Sequence, residues 1–101
     1  MTVVSPAPRL VRIDGREIPL EKDLIIGRSE ECNIQIQDAL ISRQHARLLV
    51  QGNQVFIEDL NSTNSTYLNR QRLQPGQRYL VNSGDELRLG GVVLVYYSSQ
   101  A

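Results

Sequence analysis

The sequence predicts an all-β fold, an antiparallel sandwich of short strands, on three observations. Apolar runs rich in Val, Ile and Leu are short and recur between turn residues. None of them keeps a 3.6-residue apolar stripe long enough for a helix. Pairs such as Asp14-Gly15 and Gly52-Asn53 supply the positive φ that tight hairpin turns need. Many short strands at this spacing are the pattern of two packed sheets.

The elements follow in order. Val11 and Ile13 alternate before Asp14-Gly15, and Ile18 and Leu20 follow it, which predicts a first hairpin. Leu24-Ile25-Ile26 and then Ile34 and Ile36 give two more strands across the polar stretch Arg28 to Asn33, read as a loop. Ala46, Leu48 and Val50 share a face, and Val55 and Ile57 continue beyond Gly52-Asn53 as the clearest hairpin of the chain. The segment from Asp59 to Asn69 is dense in Asn, Ser and Thr, whose short side chains bond nearby backbone, and is read as an internally bonded loop. Pro75-Gly76 and Ser83-Gly84-Asp85 mark two further turns. Leu87, Leu89 and the run Val92 to Tyr97 close the chain with strands divided at Gly90-Gly91.

At 101 residues the chain has room for one core. Residues 1–7 and 98–101 are read as tails around a domain spanning 8–97. The 41% hydrophobic and 22% charged shares are those of a folding globular chain. Eleven basic and eleven acidic residues leave no net field to draw in nucleic acid or an anionic membrane. The single Cys32 excludes an internal disulfide, and with only His45 beside it a zinc site has too few ligands. No cofactor or metal is expected. The start MTVVSPAPR lacks a signal-peptide pattern and no later run approaches the roughly 20 apolar residues of a span, so the expected location is the cytoplasm and the expected state a monomer.

Two enzymatic readings are open to the residues. Ser42 lies three positions before His45, the one histidine, but a nucleophilic serine also needs an oriented base and an oxyanion hole, which proximity in sequence does not supply. The pairs Glu30-Glu31 and Glu58-Asp59 could offer carboxylates; strand neighbours point to opposite faces, so a solvated face accounts better for both.

Three polar clusters stand where strands meet loops: Gly27-Arg28, Ser42-Arg43-Gln44-His45-Ala46, and Asp59-Leu60-Asn61-Ser62-Thr63-Asn64-Ser65-Thr66. In that order, with Ser42 fourteen positions after Arg28, they resemble the signature of the forkhead-associated (FHA) family: Gly-Arg, then Ser-Arg-x-His, then Ser-x-Asn-Gly-Thr. The resemblance runs from the first hairpin to the closing strands. It implies a sandwich of about ten or eleven strands with these loops at one end, and recognition of phosphothreonine in a partner protein, a Ser/Thr kinase or its substrate.

By resemblance, Arg28 and Ser42 bind the phosphate directly, Arg43 and Thr63 assist, and Asn64 holds the ligand backbone. Gly27, His45, Asp59 and Thr66 brace the site. The chemistry agrees, because a phosphate dianion needs cations and hydroxyl or amide donors from several loops. By residue type alone, Arg28 and Arg43 are also ordinary surface arginines, and Ser42, Thr63 and Asn64 ordinary turn residues. The chain departs from the pattern twice, with Ser65 where the family has glycine and Asn69-Arg70 where it has a second Asn-Gly. A left-handed backbone at either place costs a non-glycine residue roughly 1 to 2 kcal/mol. The alternatives are an FHA-like domain that binds without phosphate and a small serine hydrolase.

Overall fold

In the computed structural model, which describes residues 8–98, eleven short strands form two sheets packed face to face. The first hairpin pairs β1 (Arg9–Arg12) with β2 (Glu17–Pro19), and the Asp14-Gly15 turn between them has Gly15 at φ 92°. β3 (Leu24–Gly27) lies between β4 (Ile34–Gln35) and β5 (Ala46–Gln51). β5 turns through Gly52, at φ 61°, into β6 (Gln54–Asp59) over six paired residues. β7 (Thr66–Leu68), β8 (Gln71–Arg72), β9 (Arg78–Val81), β10 (Glu86–Leu89) and β11 (Val92–Tyr97) complete the set. One sheet runs β2-β1-β11-β10-β7-β8 and the other β4-β3-β5-β6-β9. Every ladder is antiparallel except that of β3 with β4, which the long polar excursion between them allows to run parallel.

The core lies between the sheets. Leu10, Ile26, Leu48, Ile57, Leu87, Leu89 and Leu94 are each fully enclosed there, and a buried side chain of this size contributes about 1.5 to 3 kcal/mol. Ala46 and Leu48 point into it and Val50 packs against it, as their alternation predicts.

The expectations need correction at three places. In β1 the buried residue is Leu10, and Val11 and Ile13 face outward, Ile13 at 90% exposure. Alternation gives the period of a strand but not which face the other sheet covers, and Ile13 lies beyond the last residue of β1. The polar segment 59–69 is not all loop: Asp59 ends β6, and Thr66-Tyr67-Leu68 form β7, paired with β10 and β8. Its β-branched and aromatic residues suit a strand, and the surrounding Asn and Ser obscured them. The solvated face expected of Glu58-Asp59 does not hold: Glu58, 3.8 Å from Arg78, has its side chain only 16% exposed, and Asp59 is buried. Of the expected tails at 1–7 and 98–101, residues 1–7 and 99–101 lie outside the described residues, and Ser98 N–H donates to Ser83 Oγ. Among the described residues no helix is long and apolar enough to cross a membrane.

Candidate functional site

The ends of β3 and β6 and the starts of β5 and β7 meet at one end of the sandwich, and the three polar clusters meet with them. Gly27 closes β3 against the β4–β5 loop. A Cβ built there would stand 2.0 Å from the Arg43 carbonyl oxygen and 2.7 Å from Cys32 Sγ. Close backbone approach, rather than a positive φ, is what requires glycine here. The approach lets Arg28 N–H donate to Ser42 O and Ser29 N–H to Arg43 O. The Cys32 thiol donates to Arg43 O from behind. Burial and then the charge of Glu31 push its pKa up, against a backbone hydrogen bond at Ser29, so it is held as a thiol.

His45 ties the second cluster to the third. Its ring is fully buried, and Ser42 N–H donates to Nδ1 at 3.1 Å. An acceptor Nδ1 leaves the proton on Nε2, which donates to the Ser65 carbonyl at 2.9 Å. The main chain of His45 adds bonds to Ile26 O and from Leu60 N–H. Both ring nitrogens are therefore engaged by backbone. Ser42 Oγ instead accepts from Thr63 N–H at 3.0 Å, so Ser42 and His45 are not arranged as nucleophile and base.

The third cluster is organised by Asp59. Its Oδ1 accepts from Ser62 Oγ at 2.5 Å and Thr66 Oγ1 at 2.6 Å, its Oδ2 from Ser62 N–H at 3.0 Å, and its carbonyl from Gly76 N–H. A buried carboxylate with its oxygens so occupied fixes the turn from 59 to 62. Two residues of the connecting loop are left-handed, Asn61 at φ 58° and Ser65 at φ 66°. The loop thus keeps at Ser65 the backbone that glycine adopts most easily. The β7–β8 turn is left-handed at both central residues, Asn69 at φ 50° and Arg70 at φ 70°, the conformation Asn-Gly favours. Asn69 holds it by donating to Asp85 Oδ1 and accepting from Glu86 N–H.

Arg28, Arg43, Thr63 and Asn64 are exposed, and Ser42 is half-buried beside them. Arg28 Nε–H donates to Ile41 O at 3.0 Å, which leaves the two terminal nitrogens of the guanidinium outermost. Asn64 Nδ2 donates to Leu40 O at 2.8 Å. Among the described residues neither Arg28 nor Arg43 forms an ion pair. All nine sequence-predicted positions thus lie at this end, five exposed or half-exposed and four packed behind them. Sequence reasoning missed Leu40 and Ile41, whose carbonyls anchor Asn64 and Arg28. A backbone carbonyl has no residue signature.

A helix-free sandwich with unpaired cations and polar donors gathered on loops at one end is a recognition module of the all-β class. The family model for the FHA domain matches residues 24–90, and the chain belongs to that family. It is 37% identical over 79 residues to the FHA domain-containing protein FhaB of Mycobacterium tuberculosis, an alignment covering 77% of this chain and 50% of that one. The chain therefore spans about half the length of the curated relatives it matches. Among solved structures, Mycobacterium tuberculosis EmbR in complex with a low-affinity phosphopeptide superposes with a TM-score of 0.83 at 28% identity, covering 89% of this chain and 24% of EmbR. An FHA domain solved in a study of phosphothreonine-dependent FHA interactions gives 0.83 at 29% identity, over 91% of this chain and 96% of that one.

Proposed function

We propose that this chain, with 8–97 as its domain, binds phosphothreonine in a partner protein and carries out no catalysis of its own. The observation that carries the reading is the pair of exposed arginines, Arg28 and Arg43, without carboxylate partners among the described residues, brought to Ser42 by the backbone bond from Arg28 N–H to Ser42 O and by the adjacency of Ser42 and Arg43 in the chain. The phosphopeptide bound to EmbR and the phosphothreonine dependence of the related FHA domain support the same chemistry here.

The hydrogen bonds orient the donors. Ser42 Oγ accepts from Thr63 N–H, so its own hydrogen is available to a phosphate oxygen. Arg28 spends Nε on Ile41 O and offers its terminal nitrogens, a geometry suited to two-pronged contact with phosphate. Arg43 and Thr63 add charge and a hydroxyl at the rim. Asn64, steadied through Nδ2, presents Oδ1 to a ligand backbone N–H. A partner phosphorylated by a Ser/Thr kinase, or the kinase itself, supplies the ligand, and the cytoplasm is the matching compartment.

The test is titration of an oriented phosphothreonine peptide library against its unphosphorylated and phosphoserine counterparts by fluorescence anisotropy. Phosphothreonine peptides are expected to bind at least about tenfold more tightly than either, a difference of roughly 1.4 kcal/mol. Equal affinity for phosphorylated and unphosphorylated peptides overturns the reading.

A further inference from the structure

A basic groove runs along the outward face of the six-stranded sheet, beside the loop clusters. It has a volume of about 510 Å³ and is lined by Tyr67, Arg70, Glu86, Arg88 and Gly90. Cross-strand register sets Tyr67 between Arg88 on β10 and Arg72 on β8. Arg70 follows at the left-handed β7–β8 turn. Arg70, Arg72 and Arg88 are exposed, and none forms an ion pair or a side-chain hydrogen bond among the described residues. The Tyr67 hydroxyl has no hydrogen-bond partner among them either.

The charge left over on this face is positive. Arg9 is paired with Glu17 at 3.2 Å and Arg16 with Asp14 at 3.5 Å. Asp85 has both carboxylate oxygens occupied, Oδ1 by Asn69 and Oδ2 by Asn82 N–H. Arg12, also without an ion pair, borders a separate groove with Asp14 and Asp38. In the groove itself Glu86 is the one carboxylate, and it lies with Arg70 at the far end from Gly90.

The near end opens onto the candidate site. A Cβ built at Gly90 would stand 2.8 Å from the Leu40 carbonyl oxygen, and that same oxygen holds Asn64 Nδ2. A peptide whose backbone passes Asn64 can run on over Leu40 and Gly90 into the groove. From Gly90 to Glu86 the strand covers about 13 Å, room for about four residues of extended chain.

We propose that the groove is an acidic subsite, taking Asp and Glu residues of the same partner segment about three to seven positions to one side of the phosphothreonine. The inference rests on the function proposed above. Three guanidinium groups and a phenol, all uncommitted, are donors suited to carboxylates. A chain with no net charge and so few arginines in the groove is matched to a short acidic peptide and not to a nucleic acid, whose capture depends on many phosphate contacts. Glu86 opposes an acid at the far end, so the preference falls on the residues that pass Arg88 and Arg72.

The test is fluorescence anisotropy of wild type and of a triple variant, Arg70→Gln with Arg72→Gln and Arg88→Gln, checked for folding by circular dichroism. The probes are phosphothreonine peptides of equal length, one with alanine flanks, one with an acidic run before the phosphothreonine and one with the same run after it. Wild type is expected to bind one acidic peptide about three- to tenfold more tightly than the alanine-flanked one, as several exposed ion pairs allow, and the other with no gain. The triple variant is expected to bind all of them alike, with the wild-type affinity for alanine flanks. No gain from either run, an equal gain from both, or a gain that survives in the triple variant overturns the proposal. Displacement of the acidic peptide by single-stranded DNA at equal concentration would assign the arginines to a polyanion and overturns it too. Failure of the alanine-flanked phosphopeptide to bind removes the function proposed above and this inference with it; its binding without an acidic gain removes the inference alone.

Discussion

Nε2 of the His45 imidazole lies 2.9 Å from the carbonyl oxygen of Ser65, so a buried ring on one loop holds the left-handed residue of another. Through Nδ1 the same ring holds the amide of Ser42. Two loops that carry candidate ligand contacts are therefore fastened to each other through one side chain.

His45→Ala leaves the Ser42 amide and the Ser65 carbonyl without their partner. The loss is expected to cost roughly 1 to 3 kcal/mol of stability and to weaken phosphopeptide binding indirectly. Thermal melting followed by circular dichroism, beside a binding titration, checks both effects. A fully stable variant that had lost binding would place the ring in contact with the ligand instead.

Arg28→Ala is expected to act in the opposite way, on binding and not on folding. A charge-assisted contact of about 1.5 to 3 kcal/mol corresponds to a loss of roughly ten- to more than hundredfold in phosphopeptide affinity. The backbone bond from Arg28 N–H to Ser42 O survives the change, so the melting temperature should barely move. Unchanged affinity in the folded variant would remove Arg28 from the site.

Gly27→Ala tests whether backbone closeness sets the spacing of the two arginines. The new methyl group meets the Arg43 carbonyl at 2.0 Å, a clash with main chain that no rotamer relieves. Separation of the two loops is expected to cost about 1 to 3 kcal/mol or more. Urea unfolding measures the cost, and the same protein should bind phosphopeptide more weakly. A variant as stable as wild type would contradict the packing described.

Ser65→Gly removes a side chain from a backbone at φ 66°. Relief of the left-handed conformation is partly offset by the freedom glycine gains when unfolded, so a net gain of up to about 1 kcal/mol is expected. For a domain of this size that is a rise of roughly 4 to 8 °C in melting temperature per kcal/mol. Phosphopeptide affinity should hold or improve. A lowered melting temperature would show that the serine supports its own loop.

What was legible in the sequence followed from side-chain chemistry that acts locally. Asp14-Gly15 and Gly52-Asn53 declared their hairpins because positive φ selects so few residues. The three clusters stood out because their order and spacing resemble the FHA signature. What stayed hidden depended on partners far away in the chain. Alternation in β1 could not say which face the second sheet would cover, so it did not single out Leu10 as the buried residue. The strand Thr66–Leu68 exists because β10 lies beside it, and nothing within residues 59–69 announces β10. The roles of Leu40 and Ile41 rest on carbonyl oxygens, which every residue has.

The register Arg9↔Tyr97 gives the molecule a mechanical character. The two residues sit opposite each other at the far end of the β1–β11 ladder from the loops of the candidate site, and the strands run antiparallel. Tension applied at that pair would pull across the strands, along the direction of their hydrogen bonds, and load the rungs one after another instead of all together. Such a ladder opens like a zipper under modest force. Chain joined at either of these points would tether the module from behind, and a pull on the tether would peel away β1 before it disturbed the loops that carry Arg28 and Ser42.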